Sequence, residues 1–534
     1  MRFHDPATVQ HIAGSVVVKA DAPTSVALQR YRTAAAICTL WTVAVVAIHG
    51  YHPYAEDGGI YLAGIKKTLF PGLYPQLADF QTEFSRFSLF SRGIAALVHW
   101  TSLDLMSVML VAHLASIWLT LYAAWQLAVR CSCSRAACCG AVSLFALCLT
   151  MPVAGTSLIL MDPYVTARSL STPCSLFALT FLLDAIRNFK HGRAEKWRSL
   201  VLCVISVAIA AAIHPLMAIY ALECLTLLAC ASLSNLQCRS FAIVGACAAG
   251  LLIAACIYLL SPLQTAAYVQ AEQSRDYWFV DTWRWYQLAG LIAPPLVIAM
   301  IFLRPYSSWS KPRTAIAQMA IAAGFSGIVA ALLFARTSSA SYAVARLQPL
   351  RVFQLIYVIM ILAIGIFVGE QVLKQHRWRW AALVLALGGL MFYVQRQTFP
   401  HSAHLEFPWN APENGWEQGF VWIRENTPKD AVFALDFNYI FARGEDAQVF
   451  SAIAERSALP DYAKDGGIAA ITPSLAAEWL RGKDIQSHLN DESDAERVAH
   501  LRPAGITWIV LPGGAVTGFP CVYANGSMKL CRVE

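Results

Sequence analysis

Between residues 33 and 395 the chain is divided into apolar runs, most of them near the ~20 residues that a helix needs to cross the hydrocarbon core of a bilayer. Eleven such runs lie at 33–50, 104–129, 136–153, 171–187, 199–213, 216–233, 240–260, 287–303, 314–334, 352–371 and 379–395. The pair around His214-Pro215 has short arms and reads either as two abbreviated helices or as one kinked helix. Composition agrees: 57% of the 534 residues are apolar and 14% are charged, where a soluble domain carries about 25% charge. A water-soluble chain could not hide this much apolar surface, because a single core stops growing beyond ~250–300 residues. A soluble enzyme, a disordered chain and a collagen-like fibre are excluded.

The net charge of +7 conceals two differently built parts. Residues 1–395 hold 28 Lys+Arg against 15 Asp+Glu, whereas residues 396–534 hold 12 against 18. The basic excess is no nucleic-acid signal, because its cations sit in the loops that orient a membrane protein. With the N-terminus cytoplasmic, 18 of them fall in inner segments and 10 in outer loops. An odd number of spans then places the C-terminus outside the cytoplasm. Merging the two runs at His214-Pro215 would reverse the later loops, and the basic stretches at Arg304–Arg313 and Lys374–Arg379 argue against that. The first 32 residues are polar and no small-x-small site follows the first run, so the first helix reads as an uncleaved anchor. The expected organisation is a cytoplasmic segment 1–32, a transmembrane domain 33–395 with outer loops 51–103 and 154–171, and an extracytoplasmic α/β domain 396–534. Such a chain would lie in the inner membrane of a cell envelope.

Residues 396–420 read as a stem rich in Pro, Trp and His, overlapping a short helix from Gly419 that Asn426-Thr427-Pro428 stops. Ala431–Leu435 and Gly505–Leu511 read as strands, and Glu445–Glu455 and Ser474–Arg481 as helices. Asn525-Gly526 marks a hairpin. A three-residue loop there places Cys521 opposite Cys531, and an oxidising compartment would join them. Thirteen of the 15 cysteines precede residue 260, where cysteine serves as a small apolar residue. Cys131, Cys133, Cys138 and Cys139 bracket a turn without His or acid partners, which argues against a metal site. Asp465-Gly466-Gly467 resembles a phosphate loop only faintly and reads as an ordinary turn.

The polar residues that could carry chemistry gather in the outer loops. Glu56 and Asp57 stand just past the first span, ahead of Gly58-Gly59 and the amphipathic stretch Ile60–Phe70. The glycines would let the backbone turn or approach a ligand. The stretch would lie in the lipid interface with Lys66 and Lys67 toward phosphates. A carboxylate at that height can act as general base, or the pair can simply cap the helix. Between the third and fourth runs, Asp162 and Arg168 are six residues apart among hydroxyls. They can serve an acidic and a phosphate-binding role, or pair with each other, with Thr172-Pro173 opening the next helix. His214 lies at an outer tip, where a lone His is more often structural. Glu223 falls inside a span, where an acid is functional or paired. Arg336, Arg346 and Arg351 run against the orientation bias, which an anionic headgroup or pyrophosphate would explain; snorkelling to ordinary lipid is the alternative.

This pattern resembles the GT-C superfamily of integral-membrane glycosyltransferases that use polyprenyl-phosphate sugar donors. The resemblance rests on the many spans, Glu56-Asp57, Asp162, and an outer domain opening with Trp422-Ile-Arg-Glu-Asn-Thr-Pro428. The stretches Glu56–Tyr61, Met161–Ser169 and His214–Met217 look more closely like a group of bacterial membrane proteins. The resemblance implies Asp57 as catalytic base, Glu56 as its alternative, and Asp162 as a positioner of the acceptor or a metal. It assigns Arg168 and Arg351 to the departing phosphate, with Arg346, Lys66, His214 and Tyr61 as further substrate or lipid-phosphate contacts. Implied partners are a polyprenyl-phosphate-linked sugar, the bilayer, and an extracytoplasmic glycan, lipid or protein acceptor. Neither loop shows the Asp-x-Asp pattern of metal-using members, so a metal-independent site without cofactor is expected. A transporter or lipid flippase would show inverted repeats and mid-membrane polar residues. A non-catalytic envelope protein with an outer binding domain would be indifferent to Asp57→Asn.

Overall fold

A computed structural model describes residues 22–132, 134–187, 193–303, 310–441, 446 and 448–533, with the backbone alone for residues 22–31, Phe84 and Ser310. Most of the expected N-terminal segment, together with Cys133, Lys190, Arg304 and Glu445, lies outside the described residues.

Helix α1 (Ala22–His49) is followed by three short helices, α2 (Glu56–Leu69), α3 (Asp79–Arg86) and α4 (Phe90–Thr101). Next come α5 (Leu105–Cys131) and α6 (Arg135–Leu147), then a small hairpin of β1 (Pro152–Val153) and β2 (Leu158–Ile159). The bundle continues with α7 (Ala167–Arg187), α8 (Arg193–Ile213), α9 (Pro215–Ala231), α10 (Leu236–Leu259) and the short α11 (Ala266–Gln273). It ends with α12 (Trp285–Phe302), α13 (Ser310–Phe334), the brief α14 (Ala343–Leu347), α15 (Phe353–Phe367) and α16 (Arg377–Thr398). Among the described residues nine helical segments are long and apolar enough to cross a membrane, and α6 and α9 are shorter apolar helices. Each of the eleven expected runs coincides with one of these.

Two boundaries differ from expectation, each for a physical reason, and the alternative left open at His214-Pro215 resolves to two helices. Helix α6 stops at Leu147 rather than near 153, because the chain turns into the β1–β2 hairpin, where Leu160 N–H bonds Met151 O. A helix this short is tolerated inside a bundle, shielded from lipid by its neighbours. Helix α7 begins at Ala167, so Pro173 lies inside it instead of opening it. Beside that proline, the hydroxyls of Ser171 and Thr172 both donate to Arg168 O. At His214-Pro215 the chain makes two helices, not one kinked helix. Ile213 O accepts from the Ser88 hydroxyl in the connection before α4, while α9 returns to the opposite face, from which α10 sets out.

The crossings of α6 with α15 are close enough to admit only small residues. A Cβ on Gly140 would stand 2.3 Å from Gly365 O, and one on Gly365 would stand 2.6 Å from Gly140 O. Without a hydrophobic drive between helices in lipid, such small-residue contacts supply van der Waals packing. Helix α10, by contrast, buries none of its residues and lies at the rim.

The C-terminal domain sits on the face where α1 ends. It contains α17 (Gly415–Asn426), β3 (Val432–Ala434), α18 (Phe450–Ala454), β4 (Ser457–Ala458), α19 (Lys464–Ala469), α20 (Ala476–Gln486), α21 (Asp494–Leu501), β5 (Trp508–Pro512), β6 (Cys521–Ala524) and β7 (Met528–Arg532). The five strands lie in the order β4-β3-β5-β7-β6. Strand β3 is parallel to β4 and β5, and the β6–β7 hairpin is antiparallel. Cys521 and Cys531 are register partners and form a disulfide. The turn pairs Ala524 with Lys529, one position from a simple two-fold register, and an irregularity before Tyr523 restores the cysteine pairing. Asn525 Oδ1 closes the turn by accepting from the Ser527 and Met528 amides.

The stem ties this domain to the top of α1. Tyr51 N–H donates to His404 O and Glu406 N–H to Tyr51 O, each at 3.0 Å. His52 Nδ1 lies 3.1 Å from Glu406 Oε1, and its ring stacks on Phe399. Burial lowers the His52 imidazole to about 3. Burial, reinforced by the charge of Asp446, raises the Glu406 carboxyl to about 8. At neutral pH the pair is therefore a carboxylic acid beside a neutral imidazole.

Two outcomes follow. Gly365→Leu should cost at least ~1–3 kcal/mol through overpacking, seen as a lower unfolding temperature in detergent, whereas Gly245→Leu on open α10 should leave it unchanged. Glu406, whose folded pKa is raised, contributes stability that is complete below its unfolded value and lost as pH rises through about 8. Glu406→Gln should flatten the decline in thermal stability between pH 5 and 8, so that the variant gains on the wild type as pH rises.

Candidate active site

Gly50 closes α1 in a left-handed conformation (φ +80°), where a Cβ would stand 2.7 Å from His404 O. The chain then enters α2 at Glu56, itself left-handed with φ 51°. For a non-glycine residue that conformation costs roughly 1–2 kcal/mol, and such strain gathers where function fixes the backbone. The following glycines let the chain pass close to its own neighbours. A Cβ on Gly58 would meet Pro53 O at 2.6 Å and the Tyr164 ring at 3.1 Å; one on Gly59 would meet Val449 at 2.4 Å. Asp57 is thereby brought beside the Asp162 loop, and α2 against the C-terminal domain.

Helix α2 is not the interfacial helix that its amphipathic sequence predicts. Residues Gly58–Lys66 are buried, and the helix packs between α4 and α18. Lys66, expected to face lipid phosphates, donates to Glu455 Oε1 and Ala452 O, each at 2.7 Å. Buried ion pairing with the C-terminal domain makes its charged position look like a solvated face. The exposed large apolar residues of this region include Phe70 after α2, Phe87 and Leu89 before α4, and Leu97 and Trp100 of α4.

The second loop is fixed at three points around Asp162. Met161 N–H donates to Leu149 O, His52 N–H to Pro163 O, and Gln354 Nε2 to Leu160 O. Asp162 accepts from Arg168 Nη2 at 2.5 Å, with both side chains buried. Burial raises the Asp162 carboxyl, and the Arg168 charge only partly offsets this. Arg168 Nε has no hydrogen-bond partner among the described residues.

Asp57 and Glu56 keep 47% and 53% of their side chains exposed, yet share one largely covered cation, Lys464, whose side chain is 11% exposed. Lys464 Nζ contacts Glu56 Oε2 and lies 3.4 Å from Asp57 Oδ1. Burial pushes the Asp57 carboxyl up, but the charges of Lys464, Arg168 and Arg351 together hold it below the ordinary value. Tyr61, one turn along α2, feels Asp57, Arg168, Arg351 and Asp162. His214 caps α9, its Nδ1 accepting from Met217 N at 3.4 Å, which leaves the imidazole proton on Nε2. Burial and the charges of Arg351 and Arg168 lower it to about 3, so it is neutral.

Arg351, ahead of α15, makes no side-chain hydrogen bond or ion pair among the described residues. It lines a cavity with Thr156, Tyr277, Trp278, Gln348 and Leu350. There Arg351 Nε, Trp278 Nε1 and Gln348 Oε1 all lack partners among the described residues.

The structure thus gathers Glu56, Asp57, Tyr61, Asp162, Arg168, His214 and Arg351. It leaves out Lys66 and also Arg346, which bonds the Tyr268 hydroxyl and stands 3.9 Å from Glu272. Glu223 pairs with Ser326 of α13 at 2.5 Å. Lys464 has no counterpart among the sequence-derived candidates. Its neighbours Asp465-Gly466-Gly467 form the start of α19, where a Cβ on Gly466 would stand 2.8 Å from Arg275 Nη2. Among the described residues no three His, Cys, Asp or Glu side chains group as metal ligands.

Fold and site together define a polytopic helical membrane protein with a charged site on one face, beneath a small mixed-sheet domain. The chain is similar to the crystal structure of the Archaeoglobus fulgidus oligosaccharyltransferase in complex with zinc and sulfate, at 12% identity and a TM-score of 0.44, over 89% of this chain and 68% of that one. No family model and no curated protein matches it.

Lys66→Met leaves Glu455 unpaired and should weaken domain docking by ~1–3 kcal/mol. Hydrogen exchange should then quicken in α2 and α18 together, while α6 stays protected.

Proposed function

We propose that the chain is an integral-membrane glycosyltransferase of the GT-C type. It would move a sugar from a polyprenyl-phosphate donor to an acceptor on the face that carries the C-terminal domain, taken as extracytoplasmic. The observation that carries this reading is one arrangement: a half-exposed carboxylate held ionised, Asp57, within the field of two guanidinium groups, one of them without a partner among the described residues.

In this reading Asp57 takes the proton of the acceptor hydroxyl, and the oxygen attacks the anomeric carbon. The bond from that carbon to the lipid phosphate breaks, and its electron pair leaves with the phosphate. Arg351, with Arg168 behind it, meets the charge that develops on the leaving group, where preoriented donors act most strongly. Asp162, anchored by Arg168, and neutral His214 and Tyr61 would orient the substrates. No metal or cofactor enters the proposed step.

The test is transfer from a synthetic polyprenyl-phosphate sugar by the purified protein. Asp57→Asn should lower turnover by ~10²–10⁴-fold, the usual contribution of a general base; Glu56→Gln and Asp162→Asn should lower it less. Arg351→Met removes a charge that depresses the Asp57 carboxyl, so the acidic limb of the rate should move to higher pH. Full activity in all of these variants would overturn the reading.

A further inference from the structure

Two ionised carboxylates that share one site repel each other, and a cation between them relieves that repulsion. A divalent ion is one solution, and a positioned ammonium is another. We propose that Lys464 is the resident cation of the Glu56–Asp57 pair, delivered by the C-terminal domain into the place that a divalent ion would otherwise fill.

Four observations support this assignment. The ammonium contacts both carboxylates, while its own side chain is almost completely covered and theirs stay half open. An ordinary surface lysine would keep its head in water. The lysine is also preset: Lys464 N–H donates to Asp461 Oδ1 at 2.6 Å, and Asp461 N–H donates to Asp465 Oδ2 at 3.0 Å. Arg275, from the connection after α11, clamps the preceding turn by donating to Tyr462 O and Ala463 O, each at 2.6 Å. Finally, the contact is unequal. Glu56 is the closer partner, so it serves as the counter-ion, whereas Asp57, farther away at 3.4 Å, keeps lone pairs free to accept a proton.

Lys464 is thus a positioning residue, and the acid pair has its cation only while the domain is docked. Its role in transfer rests on the glycosyltransferase reading; the assignment as resident cation does not, and it is measured without turnover. Electron paramagnetic resonance of Mn²⁺ titrated into the purified full-length protein reads it directly. The wild type should show no Mn²⁺ binding that Glu56→Gln/Asp57→Asn abolishes. Lys464→Met, or Lys464→Gln should the first variant not remain monodisperse, should bind Mn²⁺ at least tenfold more tightly than wild type, and adding Glu56→Gln/Asp57→Asn should remove that gain. Lys464→Arg, which keeps the charge, should stay silent. Carboxylate-dependent Mn²⁺ binding in the wild type, or none in a folded neutral variant, would overturn the proposal. Should transfer activity be absent while the Mn²⁺ pattern holds, the glycosyltransferase reading falls and the cation assignment stands.

Discussion

The first turn of α2 fits where it does only because residues 58 and 59 carry no side chain. On one side the helix meets the Tyr164 ring, and on the other it meets Val449. Any larger residue would push α2 off the second loop or off the C-terminal domain. Those two contacts bring Asp57 to Asp162 and Arg168, and place the acid pair under Lys464. Tyr74, whose hydroxyl donates to Ser451 O at 2.7 Å, and Lys66 hold the far end of the same interface. The C-terminal domain is therefore part of the site's wall rather than an appendage on a stem.

The stem reaches that result by a different route. A backbone exchange between Tyr51 and residues 404–406 fixes the chain just before α2, and the neutral His52–Glu406 pair fills the space behind it. A buried acid beside a buried base costs little when neither is charged, because the expense of burial falls on the ionised form. The ionised groups are kept for the other side of α2, where part of their surface stays open.

Much of this was legible in the sequence because bilayer physics is written in long runs. All eleven helices and the Cys521–Cys531 pairing come from local patterns of length, period and turn chemistry. Asp57, Asp162, Arg168 and Arg351 stood out because charges at the edge of apolar runs are costly and conspicuous. What was not legible depends on contacts distant in the chain. Lys464 lies 407 residues after Asp57, inside a stretch that reads locally as a turn. Lys66 misleads for the same reason: amphipathicity shows that a face is polar, but not that a carboxylate from another domain covers it. Pro173 looked like a helix start, but α7 already begins at Ala167, six residues earlier.

The pairing pattern of the cluster bears on what it can do. Arg168 is committed to buried Asp162, and Lys464 is closest to Glu56. Asp57 is left with a longer contact and an open face, and Arg351 with no partner among the described residues. A carboxylate that shares its cation stays ionised without being locked by it, so it can still exchange a proton. A guanidinium with no anion beside it among the described residues, in a cavity whose Trp278 indole N–H has no partner among them either, keeps its attraction for one that arrives. If every acid were matched to its own cation, the cluster would be a structural network with nothing left to bind or react. The incomplete pairing leaves one open carboxylate and one guanidinium with no partner among the described residues, the two kinds of group that the proposed transfer would use.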